Sequence, residues 1–243
     1  MLEITNLSKH FGKVVAVDNI TFSVPPGEIF GLLGANGAGK TTTLRTLSTM
    51  LAPTSGEAKV CGCDLARQPA EVRTHVGIMF GGETGLYDRL TARENILYFA
   101  NLGDVADDAA NARIEEYAAA FSFTEYLDTW CGKLSKGTRQ KVAFCRSIVH
   151  NPEVMLFDEP FLGLDVTSRK EAEDFVLGCR AQGKAIIFSD HTLPTVEKLC
   201  DRIGILVKGK LMAVGTVAQL TEQHACATLE DVFFKLAGKD GAA

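Results

Sequence analysis

The sequence has no apolar run long enough to cross a membrane as a helix. Such a helix needs about 20 mostly apolar residues in a row. The longest stretches without a charged side chain are eleven residues, and one of them, residues 29–39, contains four glycines. The first ten residues have neither a basic head nor an apolar run, so no signal peptide is visible. We therefore expect the protein to be made and kept in the cytosol.

The sequence also lacks a surplus of basic residues. It has 25 Lys and Arg against 30 Asp and Glu, which gives a formal net charge of −5. Domains that bind nucleic acid are usually basic, so this balance argues against such a partner. The hydrophobic content of 46% and the charged content of 23% are those of an ordinary globular protein.

The seven cysteines lack the spacing of a metal site or a disulfide framework. No C-x-x-C pair occurs, and Cys61-Gly-Cys63 is the only close pair. No cluster of cysteine or histidine accompanies it in the sequence, so we expect reduced cysteines that act as small apolar residues. Internal repeats, heptads and low-complexity segments are also absent from the sequence.

The sequence does contain an alternation of strands and helices that is interrupted once. Short β-rich runs fill the first sixty residues, and buried-type strands recur at 154–157 and 185–188. The middle third is predicted to be helical instead. Thr91-x-x-Glu94 is a capping box, and apolar residues at 114, 117, 118 and 121 have helical spacing. We therefore predict a mostly parallel sheet with a helical insertion.

A glycine-rich loop lies between a predicted strand at 28–33 and a predicted helix at 42–50. Its sequence fits G-x-x-x-x-G-K-[ST], the pattern that binds nucleotide phosphates with backbone N–H groups and a helix N-terminus. We expect Lys40 to reach the β- and γ-phosphates of ATP and the Thr41 hydroxyl to bind Mg²⁺. The predicted nucleotide-binding residues of the loop are Gly34, Ala35, Asn36, Gly37, Ala38, Gly39, Lys40, Thr41 and Thr42.

Two carboxylates follow the apolar run at 154–157. Asp158 falls at the carboxyl end of a buried strand, where ligand sites of open α/β sheets lie, and Glu159 comes next. We expect Asp158 to hold the metal and Glu159 to orient or deprotonate the attacking water. Taken alone, the pair is as typical of a solvent-facing acidic strand end as of a functional site. Beside a phosphate loop, a metal-binding and catalytic site is the favoured interpretation.

The stretch LSKGT at 134–138 predicts a helix start, with Ser135 as its N-cap. Together with the two motifs above, it resembles the ATP-binding subunits of ABC transporters over nearly the whole chain. LSKGT matches the family signature LSGGQ at three of five positions and lies 23 residues before Asp158. Gly163-Leu164-Asp165 resembles the family's D-loop, and Ser189-Asp190-His191 ends in its switch histidine.

The resemblance implies a P-loop NTPase fold and a mechanism that needs two nucleotide-binding domains. These would pack head to tail, so that Ser135 and Gly137 of one subunit contact the γ-phosphate held by the other. Glu159 would act as general base, His191 would contact the γ-phosphate, and Asp165 would communicate between the sites. Phe11 would stack on adenine.

Several of these residues also have ordinary structural interpretations. Phe11 in a β-rich segment is more often part of a core, His191 is often a hydrogen-bonded loop histidine, and Ser135 is often only a helix cap.

The resemblance also implies an architecture. We expect one α/β nucleotide-binding domain whose ATPase core spans 1–84 and 148–221 and includes an N-terminal antiparallel β subdomain. The helical subdomain would span 85–147, and a short helix and tail would occupy 222–243. A separate transmembrane permease and a second nucleotide-binding subunit, most simply a copy of this chain, are the implied partners. The chain would then lie peripherally on the cytoplasmic face of the membrane.

Two departures from the family pattern stand out. The strand at 76–80 runs into Gly81 where the family usually has glutamine, and Glu83 is a candidate substitute. The signature has Lys136 and Thr138 in place of glycine and glutamine. With residues 80–96 and the closing TLEDVFFKL, these features resemble a bacterial ABC-2-type exporter subgroup that includes sodium-efflux ATPase subunits. Sodium is thus a candidate cargo.

Two other function classes stay open at this point. A soluble ABC ATPase of DNA repair or translation would resemble the same motifs, although no coiled coil or second phosphate loop is present. A weakly hydrolysing regulatory module would account for the missing glutamine.

Overall fold

A computed structural model describes residues 1–80, 85–190 and 192–238. Within them lie ten strands, listed here in chain order: β1 (Leu2–Phe11), β2 (Val14–Val24), β3 (Ile29–Leu33), β4 (Ser55–Val60), β5 (Cys63–Asp64), β6 (Val76–Phe80), β7 (Val154–Asp158), β8 (Ala185–Asp190), β9 (Arg202–Val207) and β10 (Lys210–Gly215). The α-helices of the same residues are α1 (Lys40–Leu47), α2 (Pro69–His75), α3 (Ala92–Leu102), α4 (Asp107–Ala120), α5 (Lys136–Ile148), α6 (Val166–Ala181), α7 (Leu193–Leu199), α8 (Val217–Gln223) and α9 (Leu229–Ala237). No helix in these ranges has the length and apolar character needed to cross a membrane.

The larger sheet has six strands in the order β10-β9-β3-β8-β7-β6. All of its pairs are parallel except β9–β10. Every residue of β3, β7 and β8 is buried, because helices cover one face of the sheet and the smaller sheet together with α1 covers the other. Burial on both faces explains the continuous apolar sequences of these strands. The carboxyl ends of these strands meet at one edge, where Leu33 pairs with Asp190 and Asp158 pairs with Ser189.

The smaller sheet is antiparallel, in the order β2-β1-β4-β5. It packs on the larger sheet through a shared apolar core in which the Phe22 ring stacks on Phe30 at a centroid distance of 4.6 Å. The predicted α/β class, with a mostly parallel sheet and an N-terminal antiparallel β subdomain, is confirmed.

Helices α3, α4 and α5 form the predicted helical segment. The capping box of α3 is present: the Thr91 hydroxyl accepts from the Glu94 amide, and the Glu94 carboxylate accepts from the Thr91 amide. Ile114 and Phe121 are buried in a core that this segment shares with one face of the larger sheet. The boundaries at 84, 147 and 221 stay predictions.

Several elements differ from the sequence-based expectation. The two separate β runs expected within residues 14–24 form one strand, β2, because it pairs with β1 from end to end. Strands β4 and β5 and helices α2 and α8 were not predicted. The sequence of β4, SGEAKV, has low β propensity and is extended because it pairs with β1, with Leu2 opposite Val60.

Candidate nucleotide-binding site

The phosphate loop joins the end of β3 to the start of α1 through backbone that only glycine accommodates. Gly39 is the N-cap of α1 with φ = 108°, and a Cβ there would lie 2.5 Å from the Ala16 carbonyl oxygen. At Gly34 a Cβ would lie 2.6 Å from the Leu206 carbonyl oxygen. The glycines therefore let the loop pack directly against β2 and β9, with α1 starting behind it.

Lys40 is the only lysine with a buried side chain among the described residues, at 6% exposure. Its ammonium donates to the carbonyls of Gly34 at 2.5 Å and Ala35 at 3.1 Å. Burial lowers its pKa, and the carboxylates of Glu159, Asp158 and Asp190 act in the opposite direction. A phosphate group bound in the loop would offer this cation a stronger partner than the two carbonyls.

Asp158 is buried and receives a hydroxyl donor on each carboxylate oxygen. The Thr41 hydroxyl donates to Oδ2 at 2.6 Å, and the Ser189 hydroxyl donates to Oδ1. Magnesium binds oxygen ligands and is held in nucleotide sites by one or two carboxylates together with substrate phosphates. The Thr41 and Asp158 oxygens therefore fit Mg²⁺ beside a bound nucleotide.

Sequence reasoning missed Ser189. Its side chain is fully buried, and its contact with Asp158 depends on the register of β7 and β8, which places the two residues opposite each other. The available signal was a serine at the end of a buried strand, next to the Asp190-His191 pair, at the edge where ligand sites of parallel sheets lie.

Glu159 adopts a backbone conformation that is unusual for a side-chain-bearing residue. Its φ is +50°, and its amide donates to the Ser189 carbonyl at 3.1 Å. Non-glycine residues in this region are strained and are common at functional sites. The turn places Glu159 in the wall of a pocket of about 150 Å³ whose other lining residues are Ala16, Asn36, Gly37, Ala38, Gly39, Lys40, Thr41 and Thr42.

Ser135 is the N-cap of α5, as predicted. Its hydroxyl oxygen accepts from the Thr138 amide at 3.2 Å and contacts the Thr138 hydroxyl at 2.9 Å. Neither Ser135 nor Gly137 lines the pocket around the phosphate loop. Gly137 instead lies beside Asp165: a Cβ on it would be 3.8 Å from the Asp165 carboxylate.

Asp165 is the N-cap of α6. Its carboxylate accepts from the amides of Thr167 and Ser168 at 3.0 and 2.9 Å and from the Ser168 hydroxyl at 2.8 Å. These bonds, chiefly those from Ser168, hold the pKa of Asp165 below its usual range. The residue thus has a structural role that is independent of any communication between subunits.

Phe11 lies at the end of β1 with its side chain 47% exposed, so the interpretation of it as a core residue is wrong. The Lys9 ammonium lies 5.1 Å from its ring centroid. Stacking of Phe11 on adenine stays a prediction. The predictions for His191, Gly81 and Glu83 fall outside the described residues.

Comparisons with known proteins agree on one family. The profile described as ABC transporter matches residues 17–162. The ABC transporter ATP-binding protein NatA of Bacillus subtilis (strain 168) is 40% identical over 237 residues, 96% of each chain. The probable multidrug ABC transporter ATP-binding protein YbhF of Escherichia coli (strain K12) is 35% identical over 97% of this chain but only 41% of its own length. A solved structure of an ATP binding subunit of an ABC transporter has a TM-score of 0.92 at 29% identity, covering 98% of this chain and 100% of that one.

Proposed function

This chain belongs to the ABC transporter family of ATP-binding proteins, and on that premise we propose that it hydrolyses ATP to energise export through a separate membrane permease. The observation that carries the proposal is the Thr41–Asp158 hydroxyl–carboxylate pair at 2.6 Å, with Glu159 in the wall of the adjoining pocket. This arrangement brings the phosphate loop and both carboxylates together at one edge of the sheet.

Each of these side chains has a distinct task in the proposed reaction. Lys40 binds the β- and γ-phosphates, which replace the carbonyls of Gly34 and Ala35 as its partners. Thr41 and Asp158 hold Mg²⁺, which would supply positive charge at the phosphate oxygens. Glu159 accepts the proton of the attacking water, and its strained turn directs it toward the pocket rather than into the sheet.

A second copy of the chain would complete the site. The pocket around the phosphate loop is not lined by Ser135 or Gly137 of the same chain, although the family places these residues at the γ-phosphate. Head-to-tail packing of two chains would bring Ser135 and Gly137 of one against the loop of the other. Asp165, beside Gly137, would then lie close to the subunit boundary.

The helical segment offers a surface for the permease. Tyr87, Tyr98 and Trp130 are 50%, 43% and 55% exposed, and the rings of Tyr87 and Tyr98 meet edge to face at 5.5 Å. Exposed aromatic residues are enriched at protein interfaces. We assign this surface to the cytoplasmic part of the permease, which would hold the chain peripherally on the membrane. Sodium remains the candidate cargo.

A weakly hydrolysing regulatory module is the second candidate, and Gly81 favours it. Gly81 has no side chain to position the metal or the attacking water where the family usually has glutamine. Steady-state ATP turnover in the presence of the permease separates the two: turnover at background level would support regulation, and turnover several-fold above it would support transport.

Glu159→Gln tests the role of the proposed base. We expect ATP turnover to fall by about 10²-fold or more, since a positioned base contributes roughly 10²–10⁴-fold, while ATP binding persists and an ATP-bound dimer accumulates in size-exclusion chromatography. Glu222→Gln, at an exposed position on α8, is the matched control and should retain wild-type turnover. Equal turnover in Glu159→Gln and the wild type would exclude Glu159 as the base.

The permease and the cargo are tested on membranes. The chain is isolated from gently solubilised membranes and the membrane protein that accompanies it is identified; the double variant Tyr87→Ala, Tyr98→Ala should lose that protein while keeping ATP turnover. Sodium flux is then measured in vesicles containing the complex. Unchanged flux on adding ATP would reject sodium.

A further inference from the structure

Three residues that are far apart in the sequence converge at the end of β7 opposite the nucleotide pocket. Cys61 follows β4, His75 ends α2, and Glu153 immediately precedes β7. Their ligand atoms all lie within 4.8 Å of one another, and His75 Nδ1 is 3.0 Å from Glu153 Oε2. Strand β7 then runs five residues to Asp158, so the two places are separated by roughly 16 Å.

We propose that Cys61, His75 and Glu153 bind one zinc-class divalent cation that joins the antiparallel sheet to the six-stranded sheet. Thiolate, imidazole and carboxylate are the donors that zinc takes in proteins, and three of them with a water molecule complete a tetrahedron. Magnesium prefers oxygen donors alone, so this set differs in kind from Thr41 and Asp158.

The geometry is close to what a bound cation requires. Zinc bonds of about 2.0–2.3 Å in a tetrahedron separate the ligand atoms by roughly 3.5 Å. The most distant of the present atoms therefore need to approach by at most about 1.3 Å, whereas His75 Nδ1 and Glu153 Oε2, at 3.0 Å, need to move slightly apart. The side chains of His75 and Glu153 are 32% and 45% exposed, which leaves room for rotation and a path from solvent.

Cysteine binds zinc as the thiolate, so a bound cation would replace the thiol proton of Cys61. The backbone fixes the approach: Cys61 has φ = +50°, and its amide donates to the Met1 carbonyl at 2.7 Å.

The bound cation would act on the fold as well as on its ligands. Cys61 adjoins the antiparallel sheet, whereas Glu153 adjoins the six-stranded sheet, so a cation bound to both would cross-link the two. A ligand that binds the folded chain alone raises its stability by mass action. Zinc should therefore raise the melting temperature of the wild type.

Cobalt(II) is the probe for this site, because it replaces zinc in tetrahedral sites and reports thiolate ligation spectroscopically. The chain is prepared without an N-terminal histidine tag, since Met1 contacts Cys61. It is treated with chelator and then titrated with Co²⁺ in the absence of ATP and Mg²⁺. We expect one Co²⁺ per chain, a thiolate-to-cobalt charge-transfer band and displacement by Zn²⁺ but not by Mg²⁺.

Variants decide whether the three residues form the site. Cys61→Ser should remove the charge-transfer band and the zinc-dependent rise in melting temperature, whereas Cys226→Ser, remote from the site, should keep both. His75→Gln and Glu153→Gln should each weaken binding at least about 10-fold, because even residues that only orient a ligand contribute that much. Retained ATP binding shows that each variant folds. Absence of Co²⁺ binding in the wild type, or a charge-transfer band in Cys61→Ser, would overturn the proposal.

Discussion

Ser189→Ala removes one of the two hydroxyl donors of the buried Asp158 carboxylate. Ser189 is fully buried, and its backbone carbonyl, which accepts from Glu159, is unaffected by the change. A hydrogen bond to a charged group contributes about 1.5–3 kcal/mol. We expect the free energy of unfolding in the absence of Mg²⁺ and ATP to fall by that amount. For a chain of this size, a loss of about 2 kcal/mol lowers the melting temperature by roughly 4–8 °C.

Ser147→Ala is the matched control. Ser147 is also buried, but its hydroxyl donates to a neutral group, the Phe144 carbonyl, at 2.7 Å. Its loss should cost about 0.5–1.5 kcal/mol, and the better helix propensity of alanine in α5 offsets part of that.

The assay is urea denaturation of both variants, with the midpoints compared at unchanged m-values. The second readout is the Mg²⁺ concentration needed for half-maximal ATP turnover. A residue that orients a metal ligand contributes about 10–100-fold to metal affinity, so Ser189→Ala should raise this concentration by about 10–100-fold. Equal loss of stability in the two variants, together with an unchanged Mg²⁺ requirement, would refute the assigned role of Ser189.

Two further predictions concern the phosphate loop and the antiparallel sheet. Burial lowers the pKa of Lys40 in the folded chain. Between that lowered pKa and 10.5, the unfolded chain therefore binds more protons than the folded chain. In this pH range Lys40 makes the free energy of unfolding rise with pH. Lys40→Met should abolish ATP binding in a nucleotide titration but lower the free energy of unfolding at pH 7 by no more than about 1 kcal/mol; a loss of several kcal/mol would contradict the reasoning. Gly56→Ala should cost about 3 kcal/mol or more in urea denaturation, because a Cβ would lie 2.1 Å from the Asn6 carbonyl oxygen at φ = +82°. Gly183→Ala, at φ = +83° with no atom within 4 Å, isolates the backbone penalty of about 1–2 kcal/mol; equal costs would show that the contact with Asn6 is unimportant.

Local features were predictable from the sequence because their causes are local. The capping box at Thr91 and the cap at Ser135 depend on residues three positions apart, and both are present. The buried strands β3, β7 and β8 were predictable because a strand covered on both faces needs an uninterrupted apolar run.

Other features depend on which strands pair, and the sequence does not show this directly. Strand β4 is mostly exposed and is held by β1 rather than by its own composition. The contact of Ser189 with Asp158 requires the β7–β8 register. His75 and Glu153 are 78 residues apart, so spacing alone did not indicate a cluster with Cys61. No histidine lies near Cys61 in the sequence, as expected, but His75 lies close to it in the structure.

Lys136 and Gly163 constrain each other's substitutions. The Lys136 side chain lies across Gly163, so that a Cβ on Gly163 would be 3.2 Å from Lys136 Cε and 3.3 Å from its ammonium nitrogen. Gly163 also has φ = +80°, which independently favours glycine. Grafting the common LSGGQ signature onto this chain would remove the lysine and expose the Gly163 backbone to solvent. Exchanging the signature alone between relatives would thus alter the surroundings of the segment that connects Glu159 to Gly163. Chimeric proteins should therefore exchange the signature and this segment together.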